Sequence, residues 1–509
     1  MMLPNISVYG SHNAGFAVEH NNKILEVVEL ERFLNIKNLG YTMWEVPRSQ
    51  KYVVKLILDY FKQKYGFDRY ENCLHQAAHP FYQDIPANNY IESNHHESHA
   101  AGCFYQSTFT EAIVVSFDGG APDGYFNIYK VIRGQSPTLI KKIDLDVGGS
   151  YMAFGHYLAD IKQEHKMEFI TYPGKILGLQ SYGIANPDWL PHFINYYLEG
   201  KNYSSLPELG RRIGVPFNQR YTGQLAYDIA ATSQAAFEQV THQLIAESIE
   251  ENPTLPICLT GGCALNIVFN TKLKEYYNRP VFVGPSPSDC GIVVGMLAGL
   301  IKPTEPIDVT YAGQEILDSL RLPEYIEQYN ATYKTAEELS TELVSGKIVG
   351  LVQGRAEHGP RALGNRSIIC NPLIADMKDK LNHKVKHREW YRPFAPVVRL
   401  EDVSEYFEWE GDSRWMSFCI KVKSEYLNVM PAIVHVDNTA RVQTVTREEN
   451  QFLYDLLTEF KKTTGIGVLL NTSFNMDGRP ILSTYADALH VLNNTELDAV
   501  HLNGFYFTK

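Results

Sequence analysis

Cysteine is scarce and unpatterned in this chain. Cys73, Cys103, Cys258, Cys263, Cys290, Cys370 and Cys419 are the seven among 509 residues, and no two form a CxxC pair. That argues against a zinc knuckle or a disulfide framework and leaves thiols expected to be reduced and mostly buried. Long apolar runs are also missing. The longest, near Cys290–Ile301, is too short to span a bilayer, and Met1–Gly15 has neither the basic start nor the apolar stretch of a signal peptide. The expectation is a cytoplasmic protein with no membrane contact. Positive charge is in the minority, with 46 Lys and Arg against 58 Asp and Glu and a formal net charge of −12. A surface of that sign repels polyanions, so no nucleic-acid partner is expected. No low-complexity tract and no repeat at a solenoid period is visible.

What is present reads as an α/β protein. A hydrophobic share of 44% and a charged share of 20% are ordinary for a soluble fold. At roughly 100–200 residues per domain, the length predicts two to four packed units. Ile6–Tyr9, the turn Gly10–Asn13, Phe16–Val18 and Lys23–Glu31 read as strand, turn, strand, strand. A strand Ala112–Phe117 runs into Asp118-Gly119-Gly120, and a strand Pro256–Thr260 runs into Gly261-Gly262 ahead of a helical Ala264–Asn270. Between Leu300 and Thr335 the pattern breaks at Pro303, Pro306 and Pro323, which predicts domains over residues 1–330 and 336–509. The second holds strands at Ile348–Val352, Gly467–Leu470 and Ala499–Leu502 and a helix at Ala486–Asn493.

Three constellations carry chemistry. In Asn94-His95-His96-Glu97-Ser98-His99-Ala100, His95 and His99 stand four apart, so a helix stacks both imidazoles on one face while His96 points elsewhere. Asp118, on the turn after a strand, and Asp289, in Pro285–Gly291 before an apolar helix, are the candidate carboxylate ligands. Two imidazoles with two carboxylates suit iron, zinc or manganese. An isolated HxxxH pair more often satisfies internal hydrogen bonds, Asp118 reads equally as a turn-former and Asp289 as an N-cap, so the metal reading rests on their convergence.

The second constellation is a set of glycine turns. Thr260-Gly261-Gly262-Cys263-Ala264-Leu265-Asn266 follows a strand and opens a helix, where bare backbone N–H groups and the helix dipole favour an anion. Gly119 and Gly120 offer another such turn, and with Gly10–Asn13 the set fits a fold that clamps phosphates between turns. The third is cationic. Gly354–Ser367 carries Arg355, Arg361 and Arg366, Lys386–Pro396 adds Lys386, Arg388 and Arg392, and Arg441–Val445 and Leu470–Asn475 supply Arg441, Asn471 and Ser473. Guanidinium groups match phosphate oxygens in bidentate fashion, and such islands in an acidic protein suit an acyl phosphate or small polyphosphate.

These stretches, together with Leu30-Glu31-Arg32-Phe33, Lys37, Gly174-Lys175, Gly178-Leu179 and Ser181-Tyr182-Gly183, are similar to the O-carbamoyltransferases of antibiotic, nodulation-factor and surface-polysaccharide biosynthesis. The resemblance covers nearly the whole chain. It implies an actin-like (ASKHA-type) first domain and a YrdC-like second domain that makes carbamoyl-adenylate from ATP and carbamoyl phosphate. It implies an iron-type divalent metal on His95, His99, Asp118 and Asp289. Cofactor- and substrate-binding roles are implied for Lys175, Gly119, Gly120, Gly261, Gly262, Asn266, Arg392, Arg441, Asn471 and Ser473, and catalytic roles for His12, Arg361 and Lys386. Many relatives carry Asp where this chain has Asn13. The acceptor is expected to be a small molecule or saccharide with a free hydroxyl, its pocket shaped by residues 40–90 and 185–230, and a homodimer is compatible with the sequence. The alternative readings are a tRNA threonylcarbamoyl-transferase-like enzyme, which the net charge disfavours, and a nucleotide-binding relative without turnover.

Overall fold

The first apolar runs form strands, β1 (Asn5–Tyr9), β2 (Gly15–His20) and β3 (Lys23–Glu29), in a computed structural model. It describes residues 3–37, 39, 47–76, 80–121, 123–161, 168–476 and 478–509. With β4 (Tyr70–His75) and β5 (Ala87–Glu92) they make a sheet of order β3-β2-β1-β4-β5, in which β2 is antiparallel to β1 and β4 and β5 add in parallel. A second sheet repeats the plan. β6 (Glu111–Ala121), β7 (Gly124–Ile132) and β8 (Thr138–Ile143) are antiparallel neighbours, and β9 (Ile257–Thr260) and β10 (Val281–Phe282) add in parallel beyond β6, giving β10-β9-β6-β7-β8. The α/β class and the actin-like first domain expected from the sequence are borne out by this duplicated order.

Two helices exchange sheets. The helix His95–Gln106 follows β5 in the chain but packs on β6, β7 and β9, while Ile292–Ile301 follows β10 and packs on β1 and β2. The second is apolar along its whole length, as a helix covered on all sides must be. The two helices meet at glycines. A Cβ on Gly102 would lie 3.0 Å from Gly295 Cα, and one on Gly295 would lie 1.9 Å from the Ser98 carbonyl oxygen. Ala101, Cys103, Phe104, Val114, Val131 and Ala298 form the core around this contact.

The chain divides into two compact units. One holds residues 1–27 and 38–308, and the other holds Val28–Lys37 and Val309–Lys509. The second unit is built on a mixed eight-stranded sheet. Its strands are β11 (Thr332–Tyr333), β12 (Val349–Val352), β13 (Arg366–Cys370), β14 (Ala395–Arg399), β17 (Gln443–Val445), β18 (Val468–Ser473), β19 (Ala499–Leu502) and β20 (Phe505–Thr508), in the order β11-β20-β19-β12-β13-β18-β14-β17. A short pair, β15 (Ile420–Lys421) and β16 (Thr439–Ala440), stands apart. Leu339 and Leu343 of the helix Ala336–Val344 and Leu453, Leu456, Leu457 and Phe460 of Gln451–Thr464 form its core with the sheet.

Some boundaries differ from the sequence reading. The strand expected to stop at Phe117 continues to Ala121 with a register shift between the two, because Gly119 and Gly120 let the chain stay extended through a bulge. β3 ends at Glu29, two residues early, where a helical turn Leu30–Phe33 begins. The helix expected from Ala264 starts at Ile267, since the Asn266 side chain caps it by accepting from Phe269 N at 3.1 Å. Among the described residues, no helix is long and apolar enough to cross a membrane.

Candidate active site

In the first unit the four sequence-nominated metal ligands converge: one ligand atom each from His95, His99, Asp118 and Asp289 lies within 4.8 Å of the others. His99 Nε2 is 3.2 Å from Asp118 Oδ2 and 3.5 Å from Asp289 Oδ1, and His95 Nε2 is 3.5 Å from the same Asp289 oxygen. The fold explains the meeting. His95 and His99 open the helix on the second sheet, Asp118 lies at the bulge in β6, and Asp289 precedes the helix that returns to the first sheet. His95 Nε2, His99 Nε2 and Asp289 Oδ1 are buried without a hydrogen-bond partner among the described residues. Two imidazole nitrogens and two carboxylates with such orphaned atoms fit a divalent cation.

Electrostatics match that geometry. Burial lowers His99, but the close approach of the Asp118 and Asp289 carboxylates outweighs it and brings the imidazole to about 9. Burial raises Asp289, and His12, His95 and His99 more than reverse this, holding it well below the usual carboxylate range. His96 does point elsewhere. Its Nδ1 is 2.7 Å from Ser116 Oγ and its Nε2 3.0 Å from the Gly124 carbonyl, and burial lowers it to about 4.

His12 stands beside this cluster, with Nε2 3.4 Å from Asp289 Oδ2 and Nδ1 3.0 Å from Asn13 Oδ1. The amide oxygen of Asn13 therefore sets the imidazole tautomer, a task that a carboxylate performs equally well. Tyr9, not singled out in the sequence, donates its hydroxyl to Asp289 Oδ2 at 2.5 Å from the end of β1. Gln76 was missed as well, and its Oε1 is 3.4 Å from His95 Nδ1. An aromatic at a strand end before a turn, and an amide just after a strand, carry no motif that could have flagged them.

The glycine turns meet at the same place. Gly262 N–H donates to Asp118 Oδ2 at 2.7 Å, and Gly261, at φ +91°, passes so close to β6 that a Cβ would lie 2.1 Å from the Phe117 carbonyl. Gly119 N–H turns to its neighbour, Asp118 Oδ1, at 2.5 Å, and Gly120 has φ +112°. The Asn266 side chain is engaged within the protein, exchanging hydrogen bonds of 3.1 and 3.0 Å with Gln234. Lys175 lies buried on the helix Tyr172–Leu179. Of the stretches expected to shape the acceptor pocket, residues 40–46 and 77–79 lie outside the described residues.

In the second unit the cations separate by task. Arg355 donates to the carbonyls of Ala312 and Gly313, and Arg366, fully buried, to those of Gln353, Gly354 and Asn365. These two hold backbone. Arg441 differs: burial, and then the Arg361, Arg388 and Arg392 guanidiniums, push its pKa well down, so four positive groups crowd one place. Asn471 and Ser473 lie two apart on β18 and so share a face. Asn471 Nδ2 donates to the Ala362 carbonyl at 3.1 Å and Gln443 Oε1 at 2.6 Å, while its Oδ1 is buried with no donor among the described residues. Lys386 Nζ contacts the carbonyls of Ser473 (2.7 Å) and Asn475 (2.9 Å) and Asn475 Oδ1 (2.6 Å), which ties its helix to β18. Arg392 Nη1 is 3.4 Å from Glu389.

Residues 50–298 match the family described as carbamoyltransferase N-terminus, and residues 340–509 match carbamoyltransferase C-terminus. Nodulation protein NolO of Bradyrhizobium diazoefficiens is 33% identical over 445 residues, covering 82% of this chain and 79% of that protein. The chain belongs to the carbamoyltransferase family. It is a transferase enzyme. An uncharacterized protein of Methanocaldococcus jannaschii is 28% identical, and the match spans 99% of both chains. Among solved structures, full-length HypF in its phosphate- and nucleotide-bound form is similar at 14% identity and TM-score 0.36, covering 59% of this chain and 46% of that one.

Proposed function

We propose that this carbamoyltransferase is ATP-dependent and makes a carbamoyl-adenylate from carbamoyl phosphate before passing the carbamoyl group to a hydroxyl. The observation that carries the reading is the presence of Asn471 Oδ1, a buried acceptor with no donor among the described residues, together with the crowded guanidiniums of Arg361, Arg388, Arg392 and Arg441. A ligand anionic at one end and bearing N–H donors at the other answers both, and carbamoyl phosphate has that form. In the second unit, guanidiniums neutralise the phosphate as water releases it, leaving carbamate. The carbamate oxygen then attacks the α-phosphorus of ATP, forming carbamoyl-adenylate as pyrophosphate departs.

Transfer is assigned to the first unit. A divalent cation on His95, His99, Asp118 and Asp289, with iron, zinc and manganese all suited to the donors, would supply Lewis acidity to a carbonyl or phosphate oxygen. His12, its tautomer set by Asn13, takes the acceptor's hydroxyl proton as the oxygen attacks the carbonyl carbon and AMP leaves. The nodulation proteins among the relatives support a small-molecule or saccharide acceptor. The test is pyrophosphate release from ATP. It is expected with carbamoyl phosphate and absent with acetyl phosphate, which has no N–H, and Asn471→Leu is expected to lower it at least about tenfold, the worth of one lost buried hydrogen bond. Equal release with both phosphates would overturn the reading.

A further inference from the structure

The Leu30-Glu31-Arg32-Phe33 stretch takes no part in the reaction described above, yet it is built into the unit of residues 309–509. Glu29 ends β3 and Arg32 lies three residues on, in the helical turn, with Arg32 Nε 3.2 Å from Glu29 Oε2. Both side chains are buried, at 7% and 3% exposure. The guanidinium donates to the Glu357 carbonyl at 2.6 Å and to the Gly359 carbonyl, and Glu29 Oε1 accepts from Gly359 N–H at 2.8 Å. The same loop is closed from within. Glu357 Oε1 accepts from the backbone N–H of Leu363 (2.6 Å), Asn365 (2.8 Å) and Arg366 (3.2 Å). Arg361 thus sits between two anchored ends, one held by Glu29 and Arg32 and the other by Glu357.

A buried ion pair is weak evidence for stability, because packed apolar residues often serve as well. This pair spends its hydrogen bonds on the backbone of one loop, and that loop carries a member of the cation cluster. We propose that Glu29, Arg32 and Glu357 are positioning residues that fix the loop 357–366 so that Arg361 is set beside Arg441 before an acyl phosphate binds. The inference rests on the anion-binding role given to Arg361. Its physical basis is preorganisation: a group misplaced by about 1 Å can lose on the order of 10²-fold in effectiveness.

The experiment uses the full chain, with Arg32→Met, Arg32→Lys, Glu29→Gln and Arg361→Ala. Carbamoyl phosphate is titrated by calorimetry, and amide hydrogen exchange is read along the chain. Arg32→Met is expected to weaken binding about tenfold or more and to speed exchange at residues 357–366 while the rest of the second unit exchanges as in wild type. Arg32→Lys, which keeps the charge but cannot reach both carbonyls, is expected to fall between, and with Glu29→Gln it carries the comparison if Arg32→Met does not fold. Wild-type affinity in Arg32→Met or Arg32→Lys, or faster exchange spread over all of residues 309–509, overturns the proposal. Undiminished binding in Arg361→Ala instead overturns the anion-site reading, and the exchange data still decide whether the clamp orders its loop.

Discussion

Among single residues, Asp146 has a consequence that can be read in stability. It caps the helix Val147–Ala153, its Oδ1 accepting from Gly149 N at 2.6 Å. Burial raises its carboxyl to about 6, the Gly149 hydrogen bond working against that and the Asp118 charge with it. An unfolded aspartate titrates near 3.9, so the folded chain holds this proton to higher pH, and its contribution is present below about 4 and lost as pH rises through about 6. Asn caps as well as Asp and carries no charge. Asp146→Asn is therefore expected to stabilise the protein by on the order of 1 kcal/mol at about pH 7.5 and to make little difference at about pH 4. Urea denaturation at the two pH values checks this, and an equal effect at both would show that the carboxyl is not perturbed. The residue scale is also where the sequence was least readable for His12. Asn13 suggested a lost acidic partner, but its amide oxygen accepts from the imidazole at 3.0 Å, a contact that residue type alone does not fix.

Among elements, the two exchanged helices bring the candidate metal ligands together, and they can do so because glycine faces backbone where they cross. Gly295→Ala places a methyl 1.9 Å from the carbonyl oxygen of Ser98, the residue directly before His99 and about one helical turn from His95. It is expected to cost about 1–3 kcal/mol through forced separation of the helices, and to weaken binding of added Mn²⁺ at the same time. Denaturant melts and metal titration of the variant measure both, and wild-type values in either would mean that the helices tolerate the shift. The HxxxH spacing, Asp118 and Asp289 were legible because helical periodicity and turn chemistry are local. The duplicated sheet order was not, since β1 and β6 share a topology without a shared sequence pattern, and no residue period records it. Nor was the bulge at Gly119 and Gly120, which reads in sequence like a strand end and is decided by pairing with β7. The arginines show the same limit. Arg355, Arg361 and Arg366 are alike in sequence, and only the carbonyls around them show that two hold backbone while the third joins Arg441.

At the scale of the whole molecule, the two constellations lie in different compact units, so their failures should separate. Joint replacement of His95 and His99 by alanine is expected to remove bound metal and to lower carbamoyl transfer by about 10²-fold or more, with carbamoyl-adenylate synthesis kept. Arg361→Ala is expected to do the reverse, and synthesis followed by mass spectrometry, beside transfer from supplied carbamoyl-adenylate, distinguishes them. Parallel loss of both half-reactions in either variant would refute the division of labour. The ten residues Val28–Lys37 add a consequence for how the chain comes into being. They leave the ribosome early, but the carbonyls that Arg32 grips, at Glu357 and Gly359, emerge more than 300 residues later. Arg32 must therefore wait for these partners through the synthesis of more than 300 residues, a long-range closure of the kind that slows folding. A gene divided after Asp308 would give a carboxyl-terminal fragment with an open slot where Glu29 and Arg32 belong, and a peptide of residues 24–37 supplied in trans is the piece that fills it.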